Sequence, residues 1–216
     1  MSPVWKFAIG TVALAGIAHP AHAEVGFADR VIEFFDAGNG PIVGPYGGDD
    51  NNFPVPVSPD VVLGPPTPDN DFLSLPTGSF VTVAFDDEIV VDGEGNDIFI
   101  AELGSASESA GIFVSANLLD FVFLGFANNA DGVSSFDLGS IGFTEIVRGV
   151  RIVGNDTFGG SPGFDLDYVQ ALPGAFTPGN PGAVPEPAAW ALLILGFAFV
   201  GGAMRWPRGV TKVRYT

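Results

Sequence analysis

The chain has no cysteine. Its histidines, His19 and His22, and its lysines, Lys6 and Lys212, lie near the two ends, as do the tryptophans Trp5, Trp190 and Trp206. Residues 24–184 therefore contain no thiol, imidazole, side-chain amine or indole. Without thiols the stretch has no disulfides to hold it and depends on a core or on ions. The same absences exclude Ser-His-Asp and Cys-His nucleophiles, Schiff-base lysines, and zinc, copper or iron sites that need imidazole or thiolate. Positive charge is scarce as well: Arg30, Arg148 and Arg151 face 24 acidic residues, a formal balance of −21. Such a surface repels nucleic acid and anionic membranes and attracts divalent cations and basic partners. Carboxylates and backbone carbonyls are the hard oxygen ligands that calcium prefers.

What the middle lacks, the ends supply. Lys6 precedes an apolar stretch from Phe7 to Ile17, and Ala21-His22-Ala23 offers the small-x-small pattern of a signal peptidase site, so residues 1–23 read as a cleaved signal peptide. Near the other end, residues 188–204 carry no charged or strongly polar side chain. As a helix they would be about 26 Å long, close to a hydrocarbon core of roughly 30 Å. Trp190 and Trp206 are placed to sit at the two interfaces. Arg205, Arg208, Lys212 and Arg214 follow as a membrane stop, which puts residues 205–216 in the cytoplasm and everything before Pro185 outside.

Three parts follow one another here: the triplet Pro185-Glu186-Pro187, the pair Trp190-Ala191 leading a glycine-containing apolar helix, and the basic stop. In that order they resemble the PEP-CTERM sorting segment, over residues 185–208. The resemblance implies recognition by a membrane-embedded exosortase, a cysteine transpeptidase-like enzyme that cuts near the triplet and releases or transfers the exported part. It also implies a Gram-negative host that makes exopolysaccharide. The basic residues are spread over 205–214, where the family usually ends on a tight arginine cluster.

Residues 24–172 are enough for one domain with a real core. Short segments rich in Phe, Val and Ile, bounded by Gly, Asn and Asp, predict strands at 31–35, 79–85, 97–101, 111–115, 119–124, 146–153 and 164–169. No helical periodicity appears between the two ends, so the expected fold is all-β, an antiparallel sandwich of jelly-roll kind. The proline-rich region 41–76 predicts a long loop or a set of edge segments, with no central strand apart from a short piece at Asp60-Val61-Val62-Leu63. Residues 173–184, rich in Pro and Gly, read as a linker that lifts the domain off the membrane and exposes the triplet.

Two acidic places stand out. The turn around Asp92, Asn96 and Asp97 presents several oxygen ligands before a strand. It matches one copy of a calcium-binding β-roll repeat, and fails the EF-hand pattern at its Gly and final Glu positions. Asp165 and Asp167, two apart, would share one face of a strand, with Phe164, Leu166 and Tyr168 on the other. A sandwich could bring these two places together around one structural calcium. The run Asp86-Asp87-Glu88 reads as a solvated strand end.

Residues 148–153 and 163–171 also resemble the last two strands of galactose-binding-like, or discoidin-like, sandwiches, which implies a structural calcium and carbohydrate or matrix binding. The expectation is a non-enzymatic, membrane-tethered protein of the cell surface or extracellular matrix, with the exosortase, the inner membrane and exopolysaccharide as partners. The alternative is a carboxylate-dependent glycoside hydrolase acting on that polysaccharide.

Overall fold

The computed structural model describes residues 25–104, 108–128 and 132–178. The signal peptide, residues 179–184 of the linker, the sorting segment and the basic tail lie outside the described residues. Among the described residues no helix is long and apolar enough to cross a membrane.

The strands in chain order are β1 (Arg30–Phe35), β2 (Tyr46–Asp49), β3 (Asn52–Pro56), β4 (Phe72–Leu75), β5 (Phe80–Ala84), β6 (Glu88–Val90) and β7 (Ile98–Glu102). There follow β8 (Ser109–Ser115), β9 (Val122–Asn128), β10 (Val133–Phe136), β11 (Gly149–Gly154), β12 (Phe164–Ala171) and β13 (Phe176–Pro178). A five-stranded sheet runs β1-β5-β11-β8-β9 and a six-stranded sheet runs β10-β7-β12-β4-β2-β3, with β13-β6 as a separate ribbon. Each of these strand pairs is antiparallel.

Period-two alternation builds the core. Val81 and Val83 of β5, Ala110, Ile112 and Val114 of β8, and Val150 and Ile152 of β11 are fully buried. Against them, within one apolar cluster, lie Leu73 and Leu75 of β4, Ile98 and Ile100 of β7, and Phe164, Leu166, Val169 and Ala171 of β12. Each such Val, Leu, Ile or Phe contributes about 1.5–3 kcal/mol by leaving water. The outer face of the five-stranded sheet carries a transverse row, Glu33, Thr82, Arg151, Phe113 and Phe123, matched strand to strand by register.

Four expectations need correction. The segment Phe72–Leu75, inside the proline-rich region, is an interior strand between β2 and β12. Pro68 and Pro76 flank it and none interrupts it, so its amides stay free for the ladder. Pro54 and Pro56 fall instead in β3, the edge strand. Asp60-Val61-Val62-Leu63 is not a strand: Pro59–Val62 forms a 3-10 turn, because Ser58 caps it by accepting from the Asp60 amide and Pro59 presets the first dihedral.

The strand expected at 119–124 begins at Val122, since Asn117 Oδ1 accepts from the amides of Leu119 and Asp120 and closes a turn first. In β12, finally, Leu166 pairs with Glu102 and Val169 with Ile100, so one extra residue is bulged out. The bulge puts Leu166 and Val169 in the core and sends Tyr168 outward, where its ring stacks on Phe99 at 5.9 Å. Tyr168 therefore does not share the face of Phe164 and Leu166.

Candidate acidic cavity at one end of the six-stranded sheet

The register Tyr46, Ser74, Asp165 runs across β2, β4 and β12. These side chains point away from Leu73 and Leu75, and the loop after β11 covers them. Tyr46 Oη donates to the Pro162 carbonyl, which pins that loop to the sheet. Ser161 in the same loop lies 2.7 Å from Ser74, whose hydroxyl donates to Asp165 Oδ1 at 2.5 Å. Ser161, Ser74 and Asp165 thus form one buried hydrogen-bond chain.

Beside this chain a cavity of about 220 Å³ is lined by Asp49, Asp50, Phe53, Phe72, Glu108, Ser161 and Asp165, among others, and none of its lining side chains is basic. Phe53 is half exposed and leans on Phe72, with ring centroids 6.0 Å apart. Glycines fit the covering loop closely to the site: a Cβ on Gly159, whose φ is +90°, would lie 2.2 Å from Glu108 Oε1.

Behind the cavity, Glu102 ends β7 and Glu108 precedes β8, so the pair spans the two sheets where the chain crosses between them. They are 5% and 2% exposed. With both carboxyls ionised, Glu102 Oε1 and Oε2 and Glu108 Oε2 have no donor. Burial, and then the adjacent Glu108 carboxyl, push Glu102 up to about 9, so at neutral pH it keeps a proton that it can share with Glu108. Burial likewise raises Glu108. Asp165 is pushed up to about 8, mainly by burial and further by Glu108 and Asp156, while the Ser74 hydroxyl works the other way. The site is thus a mixture of protonated carboxyl donors, carboxylate acceptors and serine hydroxyls beside an aromatic ring.

The residues singled out in the sequence fall in two separate places. Asp92 and Asp97 lie together with Asp137, one oxygen of each within 4.8 Å of the others. Asp97 is fully buried and doubly satisfied: Oδ1 accepts from the Gly93 amide at 2.9 Å and Oδ2 from the Leu138 amide at 2.7 Å. Asn96 turns away and donates from its Nδ2 to Ser135 Oγ at 2.8 Å. Asp165 is at the other end of the β7–β12 pair: its carbonyl accepts from Leu103, whereas that of Asp97 accepts from Leu172. Seven residues of strand make that about 20 Å, so the two acidic places do not share one ion. Asp167 is buried and pushed up to about 6, first by burial and then by Asp71.

Ser74, Glu102, Glu108, Ser161 and Phe53 carried no signal in the sequence, because they come from different strands and a loop and look like ordinary strand ends and turns. The Asp86-Asp87-Glu88 run, read as solvated, is also different: Glu88 is 7% exposed, and Asp87 Oδ1 and Glu88 Oε2 are buried without a donor.

No protein-family model matches the chain, and no curated protein matches it. Several solved structures are similar to it in part. The CBM32 of AlyQ, in complex with 4,5-unsaturated mannuronic acid, is 13% identical with a TM-score of 0.39, covering 65% of this chain and 98% of that one. CpGH89CBM32-6 of Clostridium perfringens is 19% identical with a TM-score of 0.32, covering 44% and 68%. The C-terminal domain of a chitobiase from Bacteroides fragilis is 12% identical with a TM-score of 0.32, covering 47% and 66%. At TM-scores this low the overlap assigns neither a ligand nor an activity to this chain.

Proposed function

We propose that this chain is an exported cell-surface or matrix protein whose sandwich holds polysaccharide in the Asp165 cavity without cleaving it. The observation that carries this reading is the cavity itself, where the Phe53 ring meets buried hydroxyls and carboxyls with no basic side chain in the lining. A sugar presents an apolar C–H face to a ring and hydroxyls to paired donors and acceptors, and a site of this composition answers both. Its volume equals roughly seven waters at about 30 Å³ each, the size of one sugar ring. Carboxylates without a counter-charge repel uronates and sulfated sugars and accept neutral or amine-bearing ones.

Delivery rests on the terminal segments. Residues 1–23 direct export, 188–204 hold the chain in the inner membrane, and an exosortase cuts near Pro185-Glu186-Pro187. Hydrolysis of a glycoside needs two carboxyls on either side of the bond, about 5–9.5 Å apart. Glu102 and Glu108, close enough to share a proton, are not such a pair, and Glu102 does not line the cavity.

Deleting the exosortase in the producing host tests delivery: the protein should then stay in the membrane fraction at the higher, uncut mass. Unchanged mass and fraction would overturn exosortase processing. Incubating the protein with the host exopolysaccharide and counting new reducing ends separates binding from hydrolysis, and a steady rise would favour the glycosidase.

A further inference from the structure

We propose that Asp29, Asp87 and Glu88 hold a divalent cation, calcium by ligand chemistry, that clips the two ends of the sandwich together. One oxygen from each of the three carboxyls lies within 4.8 Å of the other two, a spacing that oxygen ligands around one calcium adopt at roughly 2.3–2.6 Å from the ion.

The second observation is independent of that grouping. Glu88 is more than nine-tenths buried, and its Oε1 already accepts from the Gly26 amide, yet Oε2 has no donor. Asp87 Oδ1 is buried and lacks a donor too. Asp29 Oδ2 accepts from the amides of Asp86 at 2.6 Å and Asp87 at 3.3 Å, which folds the run back against the segment before β1. A buried carboxylate oxygen without a partner is costly, and more so beside two like charges, so the arrangement calls for a positive partner. Arg30 does not supply it. Its Nε and Nη2 are both taken by Asp86, at 2.8 Å each, in an exposed pair.

Position gives the cation its role. Gly26 and Asp29 precede the first strand, and Glu88 opens β6, whose backbone pairs with β13 in the register Glu88 to Pro178. Gly26 has a φ of +95°, and its carbonyl accepts from Ala171 at 2.7 Å, so the segment before β1 is already laid along the end of β12. An ion here would lock the segment before β1 and the β5–β6 connection, with β13 held through its pairing to β6. None of the residues that carried the sequence-level calcium expectation takes part.

Thermal unfolding of the full chain in mild detergent, in chelator and in calcium chloride, tests the assignment. With free calcium about 100-fold above Kd, Tm should rise by about 5–10 °C. The rise should disappear in Asp87→Asn and in Glu88→Gln, and persist in Asp92→Asn. Calcium titration calorimetry on the same variants reads the site directly even if one of them folds poorly at high temperature. No calcium shift in the parent overturns the proposal, as does a shift that survives Asp87→Asn and Glu88→Gln. A Glu88→Gln chain that melts above the calcium-free parent, with no calcium binding by the parent, would show that a proton occupies the place of the ion.

Discussion

The Ser74 hydroxyl donates to Asp165 Oδ1 across the β4–β12 register, and it is the group that draws the Asp165 carboxyl back toward ionisation against burial. A hydrogen bond to a charged partner contributes about 1.5–3 kcal/mol, a neutral one nearer 1. Ser74→Ala should therefore cost more at pH 9, where Asp165 is ionised, than at pH 5.5, where it carries its own proton. Urea unfolding at the two pH values measures the difference; an equal cost at both would mean that Asp165 does not titrate between them.

Stability as a whole should fall with rising pH in the absence of divalent cations. Glu102, Asp165 and Glu88 are raised to about 9, 8 and 8 in the folded chain, from 4.5, 3.8 and 4.5. The folded state then binds more protons than the unfolded state between those limits. Its extra stability is complete below about pH 4 and is lost as pH rises through 8 to 9. Melting scans in chelator from pH 5.5 to 9 should show a declining Tm, and Glu102→Gln, which cannot ionise, should flatten the slope. A parent with a level profile would contradict the buried carboxyl pair.

Arg151 lies between two rings, 4.2 Å from the centroid of Phe80 and 3.9 Å from that of Phe121, with Nε donating to Thr82 and Nη2 to Glu33. A planar guanidinium can stack on both rings at once and still reach its acceptors, whereas an ammonium cannot. Arg151→Lys should lose about 1–2 kcal/mol by chemical denaturation despite keeping the charge. A loss no larger than that of an ordinary exposed substitution, about 0.5 kcal/mol, would mean that the sandwiching contributes nothing.

Much of the fold was legible where alternation was clean. Val81 and Val83, Ile112 and Val114, and Val150 and Ile152 showed their buried face directly in the chain order. It was illegible where a local device overrode the pattern: the Ser58 cap that curls Asp60 to Val62, the Asn117 turn that delays β9, the bulge that turns Tyr168 outward. β4 was hidden because it is only four residues long and is flanked by prolines, with Pro76 directly after Leu75, too short for alternation to stand out.

The cavity was the least visible part. Asp165 was singled out for its spacing from Asp167, yet its working partners, Ser74, Ser161 and Glu108, lie 91, 4 and 57 residues away and meet it only through sheet order and a covering loop. The acidic run at Asp86 to Glu88 was visible, but the burial of Glu88 depends on Gly26 and Asp29 folding over it, which no local pattern records.

The most direct test of the account is titration calorimetry of the full chain with oligosaccharides cut from the host exopolysaccharide. Parent protein should bind with a defined stoichiometry, and Phe53→Ala and Asp165→Asn should each weaken binding at least tenfold while melting cooperatively. Neutral or amine-bearing oligosaccharides should bind, and uronate oligosaccharides of equal length should not. Binding that is unchanged by both substitutions, or that prefers uronates, would contradict the assignment of the Asp165 cavity as the polysaccharide site.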